Sequence, residues 1–184
     1  LIPAVELLIN SDHKMRNGTG ALIISPTREL CMQIYSVVER LCQYHRHLTY
    51  GVIMGGTNRG AEASRLHRGI MLLVATPGRL LDHMKATTNF KYDELLTLII
   101  DEADRILEIG FEETLRDIIK LLPKKRQTIF FSATQTKNVQ DIARISVQSP
   151  VYIGVQQNAK TSTAVGIQQG YCIIEADKKF LLMY

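Results

Sequence analysis

Leu95-Leu96-Thr97-Leu98-Ile99-Ile100 runs directly into Asp101-Glu102-Ala103-Asp104. A run this short and this apolar reads as a strand buried on both faces, as in a parallel sheet. Such a strand delivers its first polar residues at the carboxyl edge of the sheet, where open α/β folds bind ligands. Three carboxylates crowded at that edge are costly unless something cationic shares the site. A magnesium ion carrying nucleotide phosphates meets that need, with one acid holding the ion and a neighbour handling an attacking water. A solvated acidic loop accounts for the same four residues.

The rest of the chain repeats the rhythm of this strand. Apolar, β-rich runs at Ala21–Ser25, Tyr50–Met54, Met71–Ala75, Leu96–Ile100, Thr128–Ser132 and Val151–Val155 read as strands. Helical periods fall between them. Leu30, Ile34, Val37, Val38 and Leu41 share one helix face, and Phe111, Leu115, Ile118, Ile119 and Leu122 share another. The second of these helices carries Glu112 and Glu113 in its first turn and Lys120 in its last, and Pro123 stops it. Val139, Ile142, Ala143 and Ser146 give a third helix, with Thr136 as its cap. Strand, helix, strand in this order means right-handed βαβ units and a largely parallel sheet.

Asn10–Gly20 reads as a polar loop, and Gln156–Gly166 as an interdomain linker. Beyond it, Ile167–Ile174 looks like a new strand and Asp177–Tyr184 the first turns of a helix. The opening, Leu1-Ile2-Pro3-Ala4-Val5-Glu6-Leu7-Leu8, has the character of the inside of a helix.

Bulk composition constrains less. The 184 residues suffice for one full domain and the start of another, and a hydrophobic content of 46% suits an ordinary core. A net charge of +4 permits a polyanionic partner without demanding one. Cys31, Cys42 and Cys172 are widely spaced and read as structural thiols, with no ligand-like grouping with the histidines. No apolar stretch approaches the roughly 18–20 residues of a membrane span.

Several strand-to-helix turns share one chemistry. Pro26-Thr27-Arg28-Glu29-Leu30 follows the first strand, Gly55-Gly56-Thr57-Asn58-Arg59 the second, and Thr76-Pro77-Gly78-Arg79 the third. In a parallel sheet all three lie on one edge, beside Asp101–Asp104 and Ser132-Ala133-Thr134. Each turn offers free backbone N–H groups near a helix start, a small hydroxyl residue or a guanidinium, the means to grip phosphates without reading bases. Any one of them is explained by helix capping, as with Thr76 before Pro77. Three on one edge point to an extended phosphate backbone.

In this order, Pro-Thr-Arg-Glu-Leu, Gly-Gly, Thr-Pro-Gly-Arg, Asp-Glu-Ala-Asp and Ser-Ala-Thr resemble the first RecA-like domain of a DEAD-box ATP-dependent RNA helicase. The surrounding wording, including Arg105-Ile106-Leu107, Gly110-Phe111-Glu112-Glu113 and Arg126-Gln127-Thr128, is similar to the nucleolar, Has-type subgroup of ribosome assembly.

The resemblance implies a RecA-like α/β fold of the P-loop NTPase type, with a mostly parallel sheet flanked by helices. Residues 1–155 would form the first domain, 156–166 the linker and 167–184 the start of a second RecA-like domain. ATP and Mg2+ would be the cofactors. Asp101 would hold the magnesium through ordered water, and Glu102 would orient or deprotonate the water attacking the γ-phosphate. Asp104 would tie the site to Ser132, Ala133 and Thr134, the motif that couples nucleotide state to RNA grip. Thr27, Arg28, Gly56, Thr76, Gly78 and Arg79 would contact the backbone of single-stranded or duplex RNA. Pre-ribosomal particles would be the partners and the nucleolus, within the nucleus, the location.

One part of the family pattern is absent. No GxxxxGK[ST] loop occurs, and Gly18-Thr19-Gly20 followed by Ala21 cannot serve as one. In the family that loop would come immediately before Leu1, so the chain reads as an internal piece of a longer protein, incomplete at its N-terminus. Alone it is expected neither to hydrolyse ATP nor to fold well, since the strand leading into that loop is central in such sheets and its loss exposes two edges. Two other readings compete. A non-catalytic RNA-clamping or scaffolding module would keep the gripping turns without turnover. A DNA-directed motor could share the acid cluster, but fits the Arg28 and Arg79 turns less well.

Overall fold

The computed structural model describes residues 1–134, 136–147, 149–154 and 170–183, which fall into two units, Leu1–Pro150 and Val151–Tyr184. The first unit is built on five strands: β1 (Ala21–Ile24), β2 (Tyr50–Ile53), β3 (Leu72–Ala75), β4 (Thr97–Ile100) and β5 (Gln127–Phe130). They form a single sheet in the order β2-β3-β1-β4-β5, every pair parallel. Leu22 stands opposite Leu73 on one side and Leu98 on the other, which fixes the register across the centre.

Alternation along the strands divides the core into two layers, because successive side chains leave a strand on opposite faces. Leu22, Ile24, Leu73, Leu98 and Ile100 pack on one face with Leu66, Leu80, Ile106, Leu115 and Ile142. Ala21, Ile23, Leu72, Val74 and Ile99 pack on the other with Val5, Leu8, Cys31 and Val38. The second face is covered by helices α1 (Ile2–Asn10) and α2 (Arg28–Cys42). The first is covered by α3 (Arg59–Arg68), α4 (Pro77–Ala86), α5 (Ala103–Glu108), α6 (Glu112–Leu121) and α7 (Lys137–Ser146). Right-handed crossovers require this division: α2 carries the chain one way across the sheet, from β1 to β2, and the later crossovers carry it back.

α6 buries Leu115, Ile118 and Ile119, the stripe its spacing predicts, and α7 is capped by Thr136, whose Oγ1 accepts from Val139 N at 3.4 Å. α2 differs. Its deepest residues are Cys31, Val38 and Cys42, and Val37 faces solvent. Small, apolar thiols fit the crowded contact with the sheet, so the stripe is rotated by about one position from the Leu30–Leu41 face. Burial pushes the Cys31 thiol up to about 12, which makes it inert packing.

Two expectations fail here. Val151–Gly154 carries no strand, and neither does Gly170–Ile174. Apolar runs become strands only with a neighbour to share backbone hydrogen bonds, and these have none. The polar stretch 156–166, read as a linker, lies outside the described residues. In the second unit, α8 (Lys179–Met183) follows a short 3-10 turn at Ala176–Lys178.

The five strands pair without interruption, and the free edges are β2 and β5. Each residue of β5 is at least partly exposed, unlike the fully buried β1, β3 and β4. Among the described residues no helix is long and apolar enough to cross a membrane.

Candidate nucleotide and nucleic-acid site

All five strands end on one edge, so the strand order sets the lateral order of the turns. From β2 to β5 that order is Gly55–Thr57, Thr76–Arg79, Pro26–Leu30, Asp101–Asp104 and Ser132–Thr134. The three turns suited to a phosphate backbone therefore stand side by side on one half of the edge, and the carboxylates occupy the other.

On the acidic half, Asp101 is anchored through its N–H, which donates to Ile24 O at 2.9 Å. Its carboxylate Oδ1 accepts from Glu102 N at 3.1 Å. Glu102 then takes a left-handed conformation, φ 47° and ψ 52°, before α5 begins. A residue with a Cβ pays about 1–2 kcal/mol for that conformation, and such strain concentrates at functional sites. Ala103 N donates to Phe131 O at 2.9 Å, fastening the turn to the end of β5. The Glu102 side chain is partly exposed, yet Oε2 itself is covered and has no hydrogen-bond partner. Arg105 Nη1 stands 3.5 Å from it, at ion-pair range without hydrogen-bond geometry.

A cleft of about 470 Å3 opens there, lined by Asp101, Glu102, Asp104 and Arg105 on one side and by Phe131, Ser132 and Ala133 on the other. Asp104 crosses it. Its Oδ2 accepts from Thr134 N at 3.0 Å and Thr134 Oγ1 at 2.8 Å, while Ser132 Oγ donates to Thr134 O at 2.7 Å. Desolvation pushes the Asp104 carboxyl up, but the bonds from Thr134 outweigh it and hold the group below its ordinary range.

The donor set suits a hard cation. Carboxylate oxygens are the ligands magnesium prefers, and Asp101, Glu102 and Asp104 all line the cleft. Among the described residues no three His, Cys, Asp or Glu side chains form a cage.

On the other half, Thr27 caps α2, its Oγ1 accepting from Leu30 N at 3.3 Å. Arg28 is exposed and reaches toward Gly56. Gly56 has φ +83°, and a Cβ placed there would lie 2.8 Å from Arg28 Nη1. The positive φ is what favours glycine here, since the exposed Arg28 tip can move aside. Thr76 is buried at the head of α4 and makes no side-chain cap bond, whereas Gly78 is exposed.

Arg79 behaves otherwise. Its guanidinium turns inward, with Nη1 donating to Glu62 Oε2 at 2.7 Å and Nη2 donating to Thr57 O at 3.3 Å. Glu62 and His83 are both buried, at 1% and 0% exposure. Neither was singled out by motif or charge. The signal available was spacing: Glu62 lies one turn before buried Leu66, and His83 three residues after buried Leu80.

Known proteins resemble this chain in sequence and fold. Residues 1–142 match the family model described as DEAD/DEAH box helicase. Over its whole length the chain is 56% identical to ATP-dependent RNA helicase has1 of Aspergillus fumigatus, covering 30% of that protein. It is likewise 56% identical to human ATP-dependent RNA helicase DDX18, covering 28%, and 54% identical to has1 of Schizosaccharomyces pombe, covering 32%. The chain thus spans about three tenths of the length of these relatives. The fold is similar to the crystal structure of the yeast DEAD-box splicing factor Prp28, with a TM-score of 0.71 and 28% identity over 79% of this chain and 36% of that one. The ordered motifs, the parallel RecA-like sheet and the match over Leu1–Ile142 converge, and the chain belongs to the DEAD/DEAH box helicase family.

Proposed function

We propose that this chain is the central part of the first RecA-like domain of an ATP-dependent RNA helicase. The observation that carries this reading is the lateral order of the sheet edge. Three backbone-gripping turns stand together on the β2-β3-β1 side, and a strained carboxylate turn stands on the β4-β5 side.

Asp101 would hold Mg2+, whose charge would offset that of the nucleotide phosphates. Glu102, which lines the cleft, would orient or deprotonate the water attacking the γ-phosphate. Asp104 passes the state of that cleft to Ser132-Ala133-Thr134 through its two bonds to Thr134. Arg28, Gly56, Thr27, Thr76 and Gly78 grip the RNA sugar-phosphate backbone, a sequence-independent interaction that weakens with salt. Substrates in pre-ribosomal RNA and a nucleolar location belong to the same proposal and rest on the Has-type wording around the motifs. So does the expectation that this stretch alone does not hydrolyse ATP, since it contains no phosphate loop.

The test is ATP hydrolysis by the full-length protein with and without single-stranded RNA, followed by competition with a DNA strand of matched sequence. RNA should stimulate turnover and DNA should compete poorly. RNA binding without turnover would favour the clamp or scaffold, and a preference for DNA would remove the RNA assignment.

Gly56 gives a sharper check on the grip. Gly56→Ala adds about 1–2 kcal/mol of backbone strain and pushes on Arg28. RNA affinity of the full-length protein, read by fluorescence anisotropy, should fall roughly five- to thirtyfold, with KM for ATP unchanged.

A further inference from the structure

The Met54–Thr57 turn, which presents Gly55 and Gly56 at the sheet edge, is held from beneath by one buried carboxylate. Glu62 Oε1 accepts from Met54 N at 3.0 Å and lies within reach of Thr57 Oγ1. Its Oε2 accepts from Arg79 Nη1 at 2.7 Å and from His83 Nε2 at 3.0 Å. The second ring nitrogen of His83 meets Thr87 Oγ1 at 2.7 Å. Four donors, two from the turn after β2 and two from α4, thus converge on one side chain. Desolvation would raise the Glu62 carboxyl, but these donors together hold it below its ordinary value, so the charge is retained inside the fold.

We propose that Glu62 and Arg79 are positioning residues for RNA: they set the conformation of the Gly55–Thr57 turn, and Arg79 acts through that turn instead of by direct contact with a phosphate. The inference rests on the RNA-binding reading above. Three observations support it. The Arg79 side chain is only 14% exposed, and its guanidinium is committed to Glu62 and to the Thr57 carbonyl. Both ends of the turn, Met54 N and Thr57 O, are bonded within this network. Gly56 stands next to the exposed Arg28 guanidinium, so a shift of the turn reaches a cation that faces outward. Arg79 is thereby separated from Arg28, although both read alike as phosphate ligands in the sequence.

The two roles have different salt signatures. A cation that meets a phosphate releases counterions, and each such contact contributes about 0.7 to the slope of log affinity against log salt for a single strand. A positioning residue weakens binding without a contact of its own.

The experiment uses the full-length protein, a fluorescein-labelled oligouridine and a non-hydrolysable ATP analogue, with anisotropy measured across a salt series. Arg28→Ala should lose about 0.7 from the slope. Arg79→Ala and Glu62→Gln should each weaken binding roughly tenfold, the scale of a buried polar group left unpaired, with the wild-type slope kept. The double variant should be little worse than either single one, because both break the same support.

Arg79→Lys keeps the charge but cannot bridge Glu62 and Thr57. It guards against a folding defect in Glu62→Gln and should bind as weakly as Arg79→Ala. Loss of slope in Arg79→Ala, or wild-type affinity in Arg79→Lys, would overturn the positioning role while leaving the RNA reading intact. Failure of the wild type itself to bind oligouridine would overturn both.

Discussion

Replacing Glu102 by Gln in the full-length protein should lower RNA-stimulated ATP hydrolysis by roughly 100- to 10,000-fold, the usual contribution of a positioned general base. The amide fills the same space and cannot accept a proton. The argument rests on a backbone and an atom. Glu102 sits in a left-handed conformation at φ 47°, fastened on one side by Asp101 Oδ1 and on the other by the bond from Ala103 N to Phe131 O. That fixed turn leaves Oε2 covered and without a hydrogen-bond partner beside the cleft. Binding should survive, because the turns proposed to grip RNA follow β1, β2 and β3, whereas Glu102 follows β4. Single-turnover measurement with saturating ATP and RNA separates the two effects. Turnover within about threefold of wild type would exclude the general-base role, which is worth at least 100-fold.

The second large effect is on stability. Leu98 is fully buried in β4, with Leu22 beside it on β1 and the α3–α7 layer beneath. Leu98→Ala should cost about 2–5 kcal/mol, combining lost transfer energy with a cavity that two sheet neighbours cannot close. At about 2–4 °C per kcal/mol for a domain of this size, the corresponding calorimetric transition should fall on the order of 10 °C. Ile129→Ala, in half-exposed β5, should cost clearly less, because the side chain gives up less apolar contact and solvent fills the space. Equal losses at the two positions would mean that β5 is as enclosed as β4 in the whole protein, covered there by a further element.

The difference between β4 and β5 shows where reading the sequence succeeds. Leu96–Ile100 and Met71–Ala75 are uninterrupted apolar runs, and the strands within them, β3 and β4, lie between two layers as such runs must. Val151–Val155 is nearly as apolar, but its described residues have no strand partner, and the run alone cannot show this. Helix faces follow the same logic. The α6 stripe was legible because its apolar residues are large and its other residues charged. The α2 stripe was displaced because Cys31 and Cys42 are small, and periodicity of large side chains does not register them. Glu62 and His83 were missed for a related reason. A buried charge carries no mark in the sequence; only its four converging donors make it tolerable, and they come from residues 54, 57, 79 and 83.

The amino-acid sequence by itself determined the parallel α/β class, the motifs and their placement at strand ends, since strand burial and turn chemistry are properties of a few adjacent residues. Tertiary structure alone decided the order of those turns along the edge. Chain order places the Arg28 turn first, whereas pairing places β1 at the centre, between the Arg79 turn and the acidic turn. It also decided that Arg28 faces outward and Arg79 inward, two arginines in similar turns. The physical reason is that side-chain direction depends on which buried partner is available. For Arg79 that partner is the carboxylate of Glu62, 17 residues away and on another helix.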